Sequence, residues 1–209
     1  MKKRSNKGFT LVEMLVVMGI VGLLIATMTG ALKFAQNVAW QAKSQELVSN
    51  VATALTVYIQ REGTWPPEIL TSGGVVNNKV CKLLQQERLL DVTTVKADGT
   101  INQDSPERFG LFSPWGQRIL RRKPKVTASL GTLPSDSTLR RHILQFRVDI
   151  NLDGKIDSSD SQLGAIPGVG TVIRTSVLVW TCGPNGKEDG NTGAKNSGDN
   201  RQSWVGGGK

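Results

Sequence analysis

The chain has 209 residues, 38% of them hydrophobic and 21% charged, with a formal charge of +9. This is the balance of a folded chain and excludes a disordered one, and the length suits one modest domain plus a membrane segment. Four basic residues, Lys2, Lys3, Arg4 and Lys7, lie in the first eight; without them the excess falls from +9 to +5, so much of the apparent basicity is a topological signal that holds this end in the cytoplasm.

An apolar run begins at Phe9 and continues to about Leu32, with Glu13 as its one acid and no proline. A helix of roughly 20 residues crosses a bilayer core, so the run is long enough to span. A secretory signal would have a shorter apolar core followed by a small-x-small cleavage site, and no such site follows here. A carboxylate inside a span costs a few kcal/mol. On physics alone, Glu13 either has a functional role or snorkels to the interface of a plain anchor.

Gly8-Phe9-Thr10-Leu11-Val12-Glu13 resembles the cleavage and methylation motif of type IV prepilins and of type II secretion pseudopilins. The resemblance implies that a prepilin peptidase cuts after Gly8 and methylates the new first residue, Phe9. It also implies that Glu13 pairs with the N-terminal amine of a neighbouring subunit in a helical homo-oligomeric filament. A neighbour's amine would offset the cost of a carboxylate in hydrocarbon. Residues 1–8 are then a leader and residues 9–32 a transmembrane and filament-core helix.

Residues 33–62 contain neither proline nor glycine. Leu47, Val51, Leu55 and Tyr58 recur at helical spacing, with Val48 and Ile59 beside them, which predicts an amphipathic continuation of the same helix. Gly63 ends it and Trp65-Pro66-Pro67 bars its return, so the helix over 9–62 would measure roughly 80 Å. Residues 63–209 form the head. The segment from Arg61 to Pro67 resembles the junction of pseudopilins where the long helix meets the head.

Within the head, residues 77–90 read as a second helix with Val80, Leu83, Leu84 and Leu89 inward, and residues 91–111 as a polar, turn-rich loop with room for one short strand. Ser113-Pro114-Trp115-Gly116-Gln117 predicts a tight turn and resembles the Asp-Pro-Trp-Gly-Asn turn of major pseudopilins. Strands are expected over 142–148, where Leu144, Phe146 and Val148 alternate with Gln145 and Arg147, and over 172–180. The fold class is α+β: a long N-terminal helix with a small antiparallel sheet packed on its second half, as the pilin resemblance also implies. From Gly183 on, the tail reads as mostly loop. Val179 to Gly186 resembles the last strand and following loop of type II major pseudopilins.

Asp149, Asn151, Asp153, Asp157 and Asp160 stand at positions 1, 3, 5, 9 and 12 of a twelve-residue calcium-loop pattern, with Gly154 at 6 and Ile156 at 8. Lys155, at position 7, would contribute its backbone carbonyl. The same residues also suit a solvated Asp/Asn turn. A second oxygen-rich loop holds Glu188, Asp189, Asn191, Asn196, Asp199 and Asn200 in no fixed pattern; calcium there is implied only by the resemblance. Cys81 and Cys182 would meet oxidising conditions outside the membrane, and the sequence leaves bonded and unbonded states equally open.

Arg118, Arg121, Arg122, Lys123 and Lys125, with Arg140 and Arg141, make a basic cluster without interleaved aromatics. It reads as a solvated strand face or a subunit contact rather than a nucleic-acid site. His142 is the only histidine, and no phosphate loop or nucleophile elbow is present, so nothing points to an enzyme. The resemblance implies a structural pseudopilin of a type II secretion system, single-pass in the inner membrane with a periplasmic head. Its partners would be minor pseudopilins and the secretion assembly platform. A type IV pilin or DNA-uptake pilin is the alternative.

Overall fold

The computed structural model describes residues 10–92, 94, 96, 98, 100–122, 127–157, 160, 172–184, 186 and 201–202. The described chain carries helices α1 (Leu11–Glu62), α2 (Pro67–Leu70), α3 (Asn78–Gln86), α4 (Pro114–Arg122) and α5 (Ser137–Arg140). Its strands are β1 (Gln145–Val148), β2 (Val177–Thr181) and β3 (Arg201–Gln202). Contacts divide the chain into two compact units, one up to Trp40 and one from Gln41 on, and α1 contributes to both.

In the first unit every side chain from Thr10 to Ala39 is exposed, including Leu15, Ile20, Leu23, Leu24 and Met28. A contiguous apolar surface of that length is not tolerated in water and marks a membrane or protein contact. In the second unit, α1 buries Ser44, Val48, Val51, Leu55 and Tyr58, a stripe at alternating three- and four-residue steps that follows the helix period. Burial stabilises each large aliphatic side chain by roughly 1.5–3 kcal/mol. α1 stops at Gly63, whose φ of +71° is the left-handed geometry that closes a helix.

The sheet is antiparallel in the order β1-β2-β3, with Gln145 opposite Trp180 and Val148 opposite Val177. β2 is buried on both faces. Val177 and Val179 join Phe146, Val148 and the α1 stripe in the main core, whereas Leu178 and Trp180 pack with Ile156 and Ile173 on the other side. That second layer is built by the segment following β1, through pairing of Ile156 with Ile173. Arg147, across the sheet from Leu178, is only 7% exposed although it alternates with core residues. Burial lowers the Arg147 pKa, and the Asp160 carboxylate partly counters this.

Past the end of α1, Pro67 opens the short, separate helix α2, since proline suits the first helical position. Other expectations are corrected. The helix expected over 77–90 covers Asn78–Gln86, started by Asn77, whose Oδ1 accepts from Lys79 N at 3.0 Å and Val80 N at 3.1 Å. The expected turn at 113–117 is instead the start of α4, with Pro114 first and Ser113 O accepting from Gln117 N at 3.0 Å. The described members of the basic cluster, Arg118, Arg121, Arg122, Arg140 and Arg141, therefore lie on or at the end of helical segments, not on a strand. The strand expected over 172–180 forms only from Val177 and runs one residue further, to Thr181, and β1 begins at Gln145.

No bond joins Cys81 and Cys182, and both are buried. The Cys81 thiol, facing the main core from α3, donates weakly to Val76 O at 3.9 Å, and burial pushes its pKa up to about 12. A thiol so deprotonation-resistant is a poor partner for disulfide exchange.

Candidate functional site

Glu13 stands in the first turn of α1, three residues after Thr10. Thr10 donates to its Oε2 from both the backbone nitrogen, at 2.8 Å, and Oγ1, at 2.9 Å, while Glu13 N donates back to Thr10 Oγ1 at 3.3 Å. This reciprocal arrangement is a capping box, which satisfies donors that a helix start leaves unpaired. Thr-x-x-Glu ahead of an apolar run is itself a sequence signature of it. Glu13 thus has a partner within one subunit through Oε2, and a carboxylate has acceptor sites enough to add another subunit's amine to that contact. The processing positions Gly8 and Phe9 lie outside the described residues.

The loop from Asp149 to Asp160 is closed by its own carboxylates. Asp149, 1% exposed, accepts from Asp153 N at 3.2 Å and Gly154 N at 2.7 Å. Asn151 Oδ1 accepts from Asp153 N at 3.2 Å, and Asp153 Oδ1 from Lys155 N at 3.1 Å. Asp160, 2% exposed, accepts from Ile150 N at 2.8 Å and Asp157 N at 2.9 Å, so it ties the two ends together. Leu152 and Gly154 take positive φ, +59° and +83°, which curls the chain between them. The Trp65 indole nitrogen donates to Asp149 O at 2.6 Å, anchoring the loop's start to the segment that follows α1.

The donors are of the oxygen type that a hard cation takes. Their arrangement is different. The Lys155 ammonium lies 3.3 Å from Asp153 Oδ2 and 3.0 Å from Asp157 Oδ2. Hydrogen bonds to Asp157 and Asp153 raise the Lys155 pKa. Among the described residues, no group of three or more acidic, histidine or cysteine side chains converges as a metal centre would require. In this conformation the loop's one lysine sits between two of its four carboxylates, Asp153 and Asp157, and the carboxylates do not form a finished calcium cage. The second oxygen-rich loop, with Asp189 and Asp199, lies outside the described residues.

Arg118, Arg121 and Arg122 on α4 and Arg140 and Arg141 at the end of α5 are all exposed; Lys123 and Lys125 lie outside the described residues. His142, directly beyond, is 2% exposed, with Nδ1 3.3 Å from Ser113 Oγ. Ser113 also accepts from Gly116 N at 3.5 Å, so this serine starts a helix. Among the described residues the pair has no third polar partner of the kind that orients a catalytic base. Asn78, fully buried, donates to Arg108 O at 2.8 Å and Ser129 O at 3.0 Å and accepts from Gly131 N at 2.6 Å. It holds three segments of the head together, and no sequence pattern announces it.

The family model of a prokaryotic N-terminal methylation motif matches residues 3–29. Two proteins of Neisseria gonorrhoeae, both described as type IV major pilin protein PilE1, are similar over a longer stretch. One is 32% identical over 122 residues, 54% of this chain and 64% of that protein. The other is 31% identical over 117 residues, 52% of this chain and 68% of its own length. The chain thus spans about two thirds of the length of each. No solved structure matches it. The helix α1 is long and apolar enough to cross a membrane, consistent with the anchoring of a pilin-type protein. With the methylation motif at one end and similarity to a major pilin over two thirds of that protein's length, the chain belongs to the type IV prepilin-like family of structural subunits rather than to an enzyme family.

Proposed function

We propose that this chain is the pseudopilin subunit of a type II secretion system. In this reading the leader, residues 1–8, is removed by a prepilin peptidase, and residues 9–32 hold the subunit in the inner membrane and then in the filament core. Residues 33–62 continue the helix, and the head from residue 63 lies in the periplasm. The observation that carries the reading is Glu13, the one acid in the apolar run of residues 9–32, within the stretch that matches the methylation motif. On assembly its carboxylate would accept from the amine of a neighbour's Phe9 in addition to the Thr10 capping box. The secretion role, with minor pseudopilins and an assembly platform as partners, draws on the resemblance of Ser113–Gln117 and Val179–Gly186 to type II major pseudopilins. Similarity to the gonococcal major pilins favours a second reading, a surface type IV pilus.

Deleting the gene separates the two. Loss of protein export with surface filaments intact is expected; intact export with lost surface filaments would establish the pilus reading. Mass spectrometry should find a mature chain beginning at methylated Phe9, and an intact Met1 terminus in cells holding the peptidase contradicts processing.

Calcium at the Asp149–Asp160 loop belongs to the same proposal. Its support is the twelve-residue spacing together with two carboxylates, Asp149 and Asp160, that are buried at the loop's ends. Binding would require the Lys155 ammonium to leave Asp153 and Asp157.

A further inference from the structure

The second unit carries an open groove of about 350 Å³ that the Asp149–Asp160 loop does not use. Leu47 and Val57 of α1 line it, together with Leu89, Leu90, Asp91 and Glu107. Among the described residues no lysine, arginine or histidine lines it. Val57 remains 40% exposed there, a large apolar side chain left on the surface beside two carboxylates. An apolar wall with an acidic rim suits a side chain that has an aliphatic stem and a cationic head, and a guanidinium can engage carboxylates in paired hydrogen bonds.

The same chain displays such side chains elsewhere. Arg121 and Arg122 of α4, with Arg140 and Arg141 at the end of α5, are exposed on two helical segments that pack together. Two copies of this arginine face repel one another, so it cannot pair with itself about a two-fold axis. Set against the acid-lined groove, it makes a contact between unlike surfaces, and such a heterologous contact propagates into an open filament when it does not close into a ring. The α4 aromatic, Trp115, is 7% exposed and offers no platform for stacking bases. Its buried face also belongs to the head interior, leaving arginine heads as what the surface presents.

We propose that the arginine face of α4 and α5 in one copy docks against the groove between α1 and residues 89–92 of the next copy. This rests on the filament reading and names the head-to-head surfaces within it. Charges of this exposed kind set register and orientation more than they set affinity, so they would decide which neighbour a head meets while the apolar helices supply adhesion.

The test uses the full-length chain in cells that process and assemble it. Asn50, which lines the groove, is changed to cysteine together with Arg140→Cys, and filaments are treated with a short bismaleimide. The native Cys81 and Cys182 are fully buried and do not compete. A ladder of cross-linked copies is expected, and Arg121→Glu with Arg122→Glu should reduce both ladder and sheared filament yield by roughly tenfold, the scale of about 1.4 kcal/mol. Adding Asp91→Lys to that double variant should recover most of both, because opposite charges again face each other. A ladder and yield unchanged by the arginine reversal overturn this contact while leaving the filament reading intact. Failure of Asp91→Lys to recover either one overturns it also. If reversal spares assembly but abolishes retention on duplex DNA, the face serves a polyanion and the proposal is wrong. A wild-type chain that forms no filament at all overturns both the contact and the filament reading.

Discussion

Gly110 stands at φ +140°, and a Cβ built on it would lie 2.2 Å from Val76 O and 2.8 Å from Asn77 Cα. Those atoms are backbone, in the segment that pairs with Gly110 and starts α3, so they cannot swing aside. Gly110→Ala should therefore lower stability by about 3 kcal/mol, through strain at a glycine-only conformation and loss of that pairing. Gly154 provides the contrast: its φ is +83° but nothing lies within 4 Å of its Cβ position, so alanine there should cost only the left-handed backbone, about 1–2 kcal/mol. Thermal unfolding of the detergent-solubilised chain compares the two, and equal losses would show that close approach at Gly110 does not matter. His142 makes a pH-dependent contribution. Burial lowers its pKa from the usual 6.5, so between its folded value and 6.5 the unfolded chain binds the extra proton and the folded chain does not. Stability from this group is whole above about pH 6.5 and declines as pH falls below it. The melting temperature of the wild type should fall between pH 6.5 and 5 more steeply than that of His142→Asn; parallel profiles would remove His142 from the account.

α1 divides its side chains between two surroundings at the scale of the element. Leu55 is fully buried against the head, whereas Leu24 is 58% exposed in the first unit. Leu55→Ala should destabilise the head by about 2–5 kcal/mol through lost transfer energy and a cavity. Leu24→Ala should leave head unfolding unchanged, and a matching loss would mean the two parts of α1 unfold as one. The stripe itself was legible, because Val51, Leu55 and Tyr58 repeat with the helix period; Val48, set beside the stripe, proved fully buried while Leu47 is only partly so. α4 was not legible. Ser-Pro-Trp-Gly suits a tight turn and a helix start equally, and the choice falls to packing, with Trp115 and Leu120 buried.

For the whole molecule, the Asp149–Asp160 loop links the end of α1 to both faces of the sheet, through Trp65 to Asp149 O and through Ile156 to the layer over β2. A cation bound only by the folded state adds RT ln(1 + [L]/Kd), about 2.7 kcal/mol at a hundredfold excess. If calcium binds, millimolar calcium should raise the melting temperature over chelator by several degrees, and Asp153→Ala should remove most of the difference. Lys155→Ala should lower the melting temperature in chelator yet enlarge the calcium response, because the competing ammonium is gone. Identical melting with and without calcium would assign the loop's closure to Lys155 and the backbone amides alone.

The sequence by itself determined the anchor, the helix that continues from it, the α+β class and the family, since each rests on a local period or a contiguous motif. A long apolar run, a capping carboxylate and a three- to four-residue repeat have the same consequence in almost any context. Only the tertiary structure decided what Arg147, Asn78 and the loop carboxylates do. Arg147 alternates on β1 as a surface residue would, but it is buried beside Leu178, its partner across the sheet, and Asp160 only partly offsets the effect of that burial. The twelve-residue spacing placed the oxygens of the loop in order along the chain. Which of them meet a cation depends on where Lys155 Nζ comes to rest, 3.0 Å from Asp157 Oδ2, and that is a matter of three-dimensional charge balance that no spacing encodes.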